Sequence, residues 1–203
     1  SEGVWQHLSE TVLGDYIANT LVLAVGVGSG TALIGVSTAW IVTNCRFPFS
    51  RIFRWALLLP LAIPTYLSAY ALTDLFQFSG PAQTWFRELS GCERGDYWFP
   101  EVRSLPGAIT ILTFGLYPYV YLAASTGFSS QSASVTEASR TLGTGSWARF
   151  FRLALPLARP AIFAGLVLVV METLAEFGAV DYCAVDTFST GIYRTWISRG
   201  SHT

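Results

Sequence analysis

The chain has 203 residues, 52% hydrophobic and only 12% charged, with a mean hydropathy of +0.46. Soluble domains carry about 25% charged residues, so this composition excludes an ordinary soluble globule and points to a membrane protein. The net charge of −1 argues against a nucleic-acid partner, and all twelve basic residues are Arg. Without Lys there is no phosphate loop of the G-x-x-x-x-G-K-[ST] kind, so ATP hydrolysis has to come from another polypeptide.

Residues 1–15 are mixed, with Trp5, Leu8, Val12 and Leu13 loosely at helical spacing, which suits an interfacial helix; His7 is expected at its surface. There is no signal-peptide core here, and the chain reads as a segment of a longer protein. A first membrane span is predicted over about 16–42, because Leu21 to Val42 is 22 residues without a charge, about enough for a bilayer core. Gly26 and Gly30 within it make a small-xxx-small face for close helix packing. No strand precedes them, so a nucleotide loop is the weaker reading.

Residues 43–54 form a short polar turn with Arg46, Arg51 and Arg54 and no acid. A second span follows over about 55–78, with a kink or break expected from Pro60 and Pro64. Asp74 near its far end reads as an interfacial residue. Residues 79–104 form the longest predicted loop, carrying both charge signs and Tyr97-Trp98-Phe99-Pro100, aromatics suited to a membrane interface. The third span, about 105–128, has no charge, and Tyr117-Pro118-Tyr119 marks a second expected kink.

The stretch from Glu137 to Pro156 is polar and basic, yet it lies between two apolar runs. Ser134 and Glu137 have the S-x-x-E spacing of a capping box, and Gly143 and Gly145 interrupt the helix it starts. A second short helix is predicted from Trp147, Phe150, Phe151 and Ala154 at i, i+3, i+4 and i+7, with Arg149 and Arg152 off that stripe. Pro156 lacks an N–H and is expected to end it. The result is a helix–turn–helix over 129–156 at a membrane surface. The fourth span is predicted over about 160–180, with Pro160 in its first turn and Glu172 and Glu176 inside it. The remainder, from Asp181 on, is polar and aromatic.

The fold class expected is therefore an all-α polytopic transmembrane bundle of about four spans. Orientation follows from Arg: the 43–54 turn and the 129–159 segment hold seven Arg against the single acid Glu137, which puts the helix–turn–helix in the cytoplasm. Residue 1, the 79–104 loop and the C-terminal stretch then lie outside, so an upstream helix beginning in the cytoplasm is expected. Cys45, Cys92 and Cys183 show no C-x-x-C pair and no metal spacing. A Cys92–Cys183 disulfide is open to them in this topology, with free thiols the preferred reading. No catalytic residue, metal site or cofactor is expected.

Glu137-Ala138-Ser139, three residues, Gly143, nine residues, then Leu153-Ala154-Leu155-Pro156 resembles the EAA loop of binding-protein-dependent ABC importer permeases, whose pattern is E-A-A, three residues, G, nine residues, I-x-L-P. Ser139 and Leu153 depart from it mildly. The resemblance implies that this hairpin docks on a cytoplasmic ATP-binding subunit. Glu137 would take a charge-assisted contact from an Arg there, Gly143 would allow the tight fold, and Leu155 and Pro156 would fix the hairpin against the fourth span.

Further segments resemble ferric-iron importer permeases: Asn19-Thr20-Leu21, Tyr97-Trp98-Phe99-Pro100 with Arg103-Ser104-Leu105, Leu116 to Tyr121, Met171 to Gly178, and Thr190 to Arg194. That likeness implies one half of a double-length permease of the bacterial inner membrane, lacking the first and last helices of its unit. Its partners would be a periplasmic substrate-binding protein, the ATPase and a second permease half. Related permeases carry thiamine, sulfate, polyamines or phosphonates. Glu172 and Glu176 are four apart and expected on one helix face. A charge at a helix centre costs roughly 2.5–3.5 kcal/mol, so such residues face a bundle interior or water. With Asp181 they are candidates for the translocation path of a hard cation such as Fe(III), whose preferred ligands are oxygens. The competing reading is a hydrogen-bonded structural pair. An intramembrane enzyme is disfavoured: Val27-Gly28-Ser29-Gly30 lacks the first Gly of G-x-S-G, and the only histidines, His7 and His202, lie outside the spans. A non-transporting membrane scaffold is the remaining alternative.

Overall fold

The structure, a computed structural model, describes residues 13–45, 47–91, 101–131 and 145–200. All regular structure in these residues is helical: α1 (Leu13–Asn44), α2 (Ser50–Ala56), a 3₁₀ turn (Leu59–Ala62), α3 (Thr65–Phe76), α4 (Pro81–Ser90), α5 (Leu105–Ser129), α6 (Ser146–Arg149), a π-helical turn (Phe150–Ala154), α7 (Leu155–Ala175), α8 (Gly178–Tyr182) and α9 (Phe188–Gly200). Among the described residues three helices are long and apolar enough to cross a membrane: Leu13–Asn44, Leu105–Ser129 and Trp147–Ala175. A fourth crossing counts if the bent pair Ser50–Ala62 and Thr65–Ser90 is one span. The chain is thus an all-α polytopic membrane protein.

Two compact units divide it. The first comprises residues up to Val27, Ile63–Gly115 and Glu172 onward; the second comprises Gly28–Ala62 and Leu116–Met171. In the second, α5 is the shared partner. Gly35 of α1 lets that helix approach so closely that a Cβ there would lie 2.8 Å from Val120 Cβ and 2.9 Å from the Tyr121 backbone nitrogen. Gly127 of α5 faces Ala158 and Ala161 of α7, and Gly165 of α7 faces Ala123. Small residues at the crossings let backbones meet, the usual route to helix association where lipid removes the hydrophobic drive. Along α1 the buried positions are Leu23, Val27, Thr31, Gly35, Ala39 and Val42, a stripe at i+4 spacing with a final i+3 step, while Leu21, Val25, Leu33 and Ile41 point outward. An apolar outer face of that kind suits lipid. Gly26, in the first unit, abuts Ile109 of α5 as the small-residue reading predicts, whereas Gly28 meets open space.

The second span is broken as Pro60 and Pro64 predict: a 3₁₀ turn holds Pro60, and α3 begins at Thr65 just after Pro64. Several other boundaries differ from expectation. The predicted turn over 43–54 contains most of α2, and the predicted loop over 79–104 contains α4, started by Pro81 in its first turn and ended by Gly91 at φ 67°. Helix α5 runs through Pro118 without interruption. Pro156 does not end the arm before it. Leu155 N–H reaches back five residues to the carbonyl of Phe150, closing a π turn, and the helix continues to Ala175. The wide turn relieves the ring-to-carbonyl clash that makes proline a helix breaker. Pro160 consequently lies inside α7 rather than in a first turn, and the predicted 160–180 span ends early, at Ala175.

Candidate functional sites: the π-turn arm and the α7 break

Two candidate sites are built, one in each unit. In the second unit lies the C-terminal arm of the EAA-like loop. Glu137, Ala138, Ser139 and Gly143 fall outside the described residues, as does the capping box at Ser134. Leu153, Leu155 and Pro156 are described, and all three are half-buried on the π turn and the start of α7. The arm starts at Gly145, whose carbonyl accepts the Arg149 N–H at 3.0 Å.

The predicted aromatic stripe exists but is divided between two directions. Phe150 packs on Trp40 of α1 at 5.0 Å between ring centroids and on Phe128 of α5 at 6.3 Å, and Ala154 is buried. Trp147 and Phe151 stack on each other, 6.1 Å apart and 16° from parallel, and face outward at 77% and 57% exposure. Gln131, just past α5, donates from Nε2 to the Ala154 carbonyl at 2.9 Å, which ties the turn to that helix. Phe150 and Phe151 meet edge to face at 4.8 Å, so one continuous aromatic run anchors the arm through Phe150 and presents Trp147 and Phe151 outward.

In the first unit, α7 stops at Ala175 and the chain restarts at Gly178, although no proline or glycine lies between Gly165 and the stop. The cause is Glu176. One carboxylate oxygen accepts the Thr65 hydroxyl of α3 at 2.7 Å, and the other accepts the Ala179 N–H of α8 at 3.0 Å. Its backbone carbonyl accepts the Ser189 hydroxyl of α9 at 2.9 Å. A carboxylate near a helix start satisfies an orphan amide and favours the positive end of the helix dipole. Gly178 allows Tyr66 against the backbone, since a Cβ there would lie 3.1 Å from Tyr66 Cβ. The other two path candidates differ from it. Glu172 is exposed on α7 itself, so the two glutamates do not share a helical face. Asp181 is half-buried within α8.

Segments singled out for their family likeness supply ties around this break. Asn19 donates to the Asp186 carbonyl at 3.0 Å, Thr20 Oγ1 accepts the Phe188 N–H at 3.3 Å, and Gly191 sits against the Tyr16 ring. Arg103 Nε donates to the Tyr182 carbonyl at 3.1 Å with its guanidinium over that ring. Thr190 Oγ1 accepts the Thr187 N–H at 2.8 Å and starts α9. Thr65, Ser189 and Arg103 were not among the predicted site residues. Their signal is a hydroxyl or guanidinium beside a helix start, too common in sequence to stand out. Cys183 is buried, and burial pushes its thiol up from the usual range, with Arg103 opposing weakly. Cys45 is exposed, and both are free thiols; Cys92 lies outside the described residues. Among the described residues no three His, Cys, Asp or Glu side chains gather as a metal site would require.

The described residues are those of an all-α polytopic membrane chain with broken spans and a carboxylate-tied helix break. Residues 31–198 match the family described as the binding-protein-dependent transport system inner membrane component, and the chain belongs to that family. It is 28% identical over 184 residues to the Fe(3+)-transport system permease protein FbpB 2 of Haemophilus influenzae, covering 91% of this chain and 32% of that protein. It is 28% identical to the sulfate transport system permease protein CysT of Escherichia coli, over 81% of this chain and 57% of the relative. It is 29% identical to the molybdenum transport system permease protein ModB of Escherichia coli, over 71% and 60%. The chain therefore spans between about a third and three-fifths of the length of these relatives.

Proposed function

We propose that this chain forms part of the membrane subunit of an ABC importer in a bacterial inner membrane, and that its cargo is Fe(III). The supporting observation for the class is the family match over 31–198. For the cargo it is the alignment with an Fe(3+) permease over 91% of the chain. The sulfate and molybdenum permeases match at the same level of identity, so an inorganic oxyanion is the second reading.

In this scheme the 129–156 hairpin faces the cytoplasm and docks on a separate ATP-binding subunit. Glu137, Ala138, Ser139 and Gly143 form the docking turn. Leu153, Leu155 and Pro156 join it to α7, and the outward Trp147–Phe151 stack adds apolar contact area. ATP-driven closure of the ATPase pair moves the hairpin, and the continuous helix from Trp147 to Ala175 carries that motion into the bilayer. A periplasmic binding protein delivers cargo from the other side, and a second permease half completes the pathway. Hydrolysis itself belongs to the partner. Of the path candidates, Glu172 and Asp181 retain the role of attracting a cation, weakly enough for release. Both carboxylate oxygens of Glu176 already serve Thr65 and Ala179, which favours a structural role there.

Proteoliposomes holding the full-length permease, its ATPase and its binding protein test this directly. ATP-dependent uptake of radiolabelled Fe(III) is the expected result. Uptake of sulfate or molybdate without iron would transfer the assignment to the second reading, and no ATP-dependent uptake of any ion would remove the importer reading.

A further inference from the structure

Within the second unit, α2 is flanked by two cavities that share one residue. The first, of about 390 Å³, lies among Thr43, Arg54, Trp55, Leu58, Tyr121, Leu122, Ser125, Thr126 and Ser129. The polar side chains lining it are one guanidinium, five hydroxyl-bearing residues and the Trp55 indole, with no acid. The second, of about 490 Å³, is a groove along the other side of α2, lined by Arg51, Ile52, Trp55, Ala56 and Leu59 and otherwise apolar. Trp55, 71% exposed, forms the ridge between them.

The first cavity, largely apolar with Arg54 and a few hydroxyls on its lining, is a built feature. Two phenols of α5 hold α2 in place: Tyr117 donates to the Leu57 carbonyl at 2.9 Å and Tyr121 to the Arg54 carbonyl at 3.3 Å. These are carbonyls at the C-terminal end of α2, the groups a helix leaves without intrahelical donors. The Ser125 hydroxyl oxygen is buried beside the Tyr121 phenol, which it meets through a side-chain hydrogen bond.

Depth decides the ligand. Thr43 is next to last in α1 and Ser129 is last in α5, so the cavity lies where two membrane-length helices end. That is headgroup level, where Trp is enriched. A cation and hydroxyls at that depth, beside an apolar groove of acyl-chain character, match both parts of one molecule.

We propose that the Arg54 cavity binds the phosphate headgroup of an anionic phospholipid, with one acyl chain lying along the Ile52–Leu59 groove. Arg54 supplies the charge, Thr126 and Ser129 supply hydroxyl contacts, and Trp55 separates headgroup from chain. Basic pockets between helices on the cytoplasmic side hold anionic lipids by this combination of charge and donors. Free phosphate would use the same donors but would gain nothing from the groove.

The test is native mass spectrometry of the full-length permease released from mixed phosphatidylglycerol–phosphatidylcholine nanodiscs. Phosphatidylglycerol should be retained preferentially, and Arg54→Gln should lower that preference about fivefold. Arg152→Gln, at an exposed Arg outside the cavity, should leave it unchanged. Thr126→Leu fills the cavity without altering charge and should also lose the lipid, which keeps the test intact if Arg54→Gln folds poorly by circular dichroism. Equal retention of the two lipids, an unaffected Arg54→Gln variant, or complete displacement of the lipid by millimolar inorganic phosphate would each overturn the proposal.

Discussion

The two ends of the last long helix behave opposite to what their residues suggest. At the near end, Pro156 lies where a helix is expected to stop and Pro160 where one is expected to start, yet a single helix runs through both. At the far end no proline intervenes, and it stops at Ala175. Local propensity therefore does not decide either boundary. At the near end a π turn widens the backbone, and Phe150 is held between Trp40 and Phe128, so continuing past the prolines has a compensating gain. At the far end three hydrogen bonds to Glu176, from Thr65, Ala179 and Ser189, replace those a further helical turn would have made. Breaks in this chain are placed by what neighbouring helices offer.

Substitution at each end should separate anchoring from exposure. Phe150→Ala removes the cluster that holds the π turn and should cost about 3 kcal/mol, while Trp147→Ala, outward on the same arm, should change stability by no more than about 0.5 kcal/mol. Thermal unfolding in detergent reads both. Equal effects would mean that the arm is not anchored through one ring. On the proposed function, only Trp147→Ala should weaken co-purification with the ATPase while leaving the melting temperature in place.

At the other end, Glu176→Ala leaves a threonine hydroxyl and a helix-start amide without their acceptor and should cost about 2 kcal/mol, a figure kept low because the site is only half-buried. Glu172→Ala should be near neutral in the same assay. If Glu172→Ala lost transport at unchanged stability while Glu176→Ala lost both, the division between a path residue and a structural residue would stand. The smallest effect concerns the turn after α8. Ala184 has φ 57°, and its N–H and that of Val185 bond back to Asp181 and Val180, an αL cap that ordinarily carries Gly. Ala184→Gly should raise stability by about 0.5 kcal/mol, because a Cβ is disfavoured in that conformation.

The membrane class, the long helices and the break after Pro64 were legible because they depend on sequence-local facts: uncharged runs of bilayer length and two prolines. The EAA-like spacing was legible for the same reason, since it is a pattern along the chain. What was not legible depends on distant residues. Nothing near Glu176 signals that Thr65, 111 positions away, donates to it. The aromatic stripe was found correctly by period and then misdirected, because a 3.6-residue repeat places Trp147 and Phe150 on one face and the π turn separates them. Helices α2 and α4 were hidden inside segments read as loops because both are short and rich in polar or interfacial residues.

That π turn has a geometric consequence for the whole segment. A five-residue turn inside a four-residue ladder acts as one inserted residue, which rotates everything after it by about 100° relative to an unbroken α-helix. The arm and the membrane rod are thus set out of phase by a fixed amount, like two gears keyed to one shaft. Deleting a single residue from 150–154 would restore the ordinary repeat and turn the outward Trp147–Phe151 stack away from its present heading while every side chain in α7 kept its neighbours.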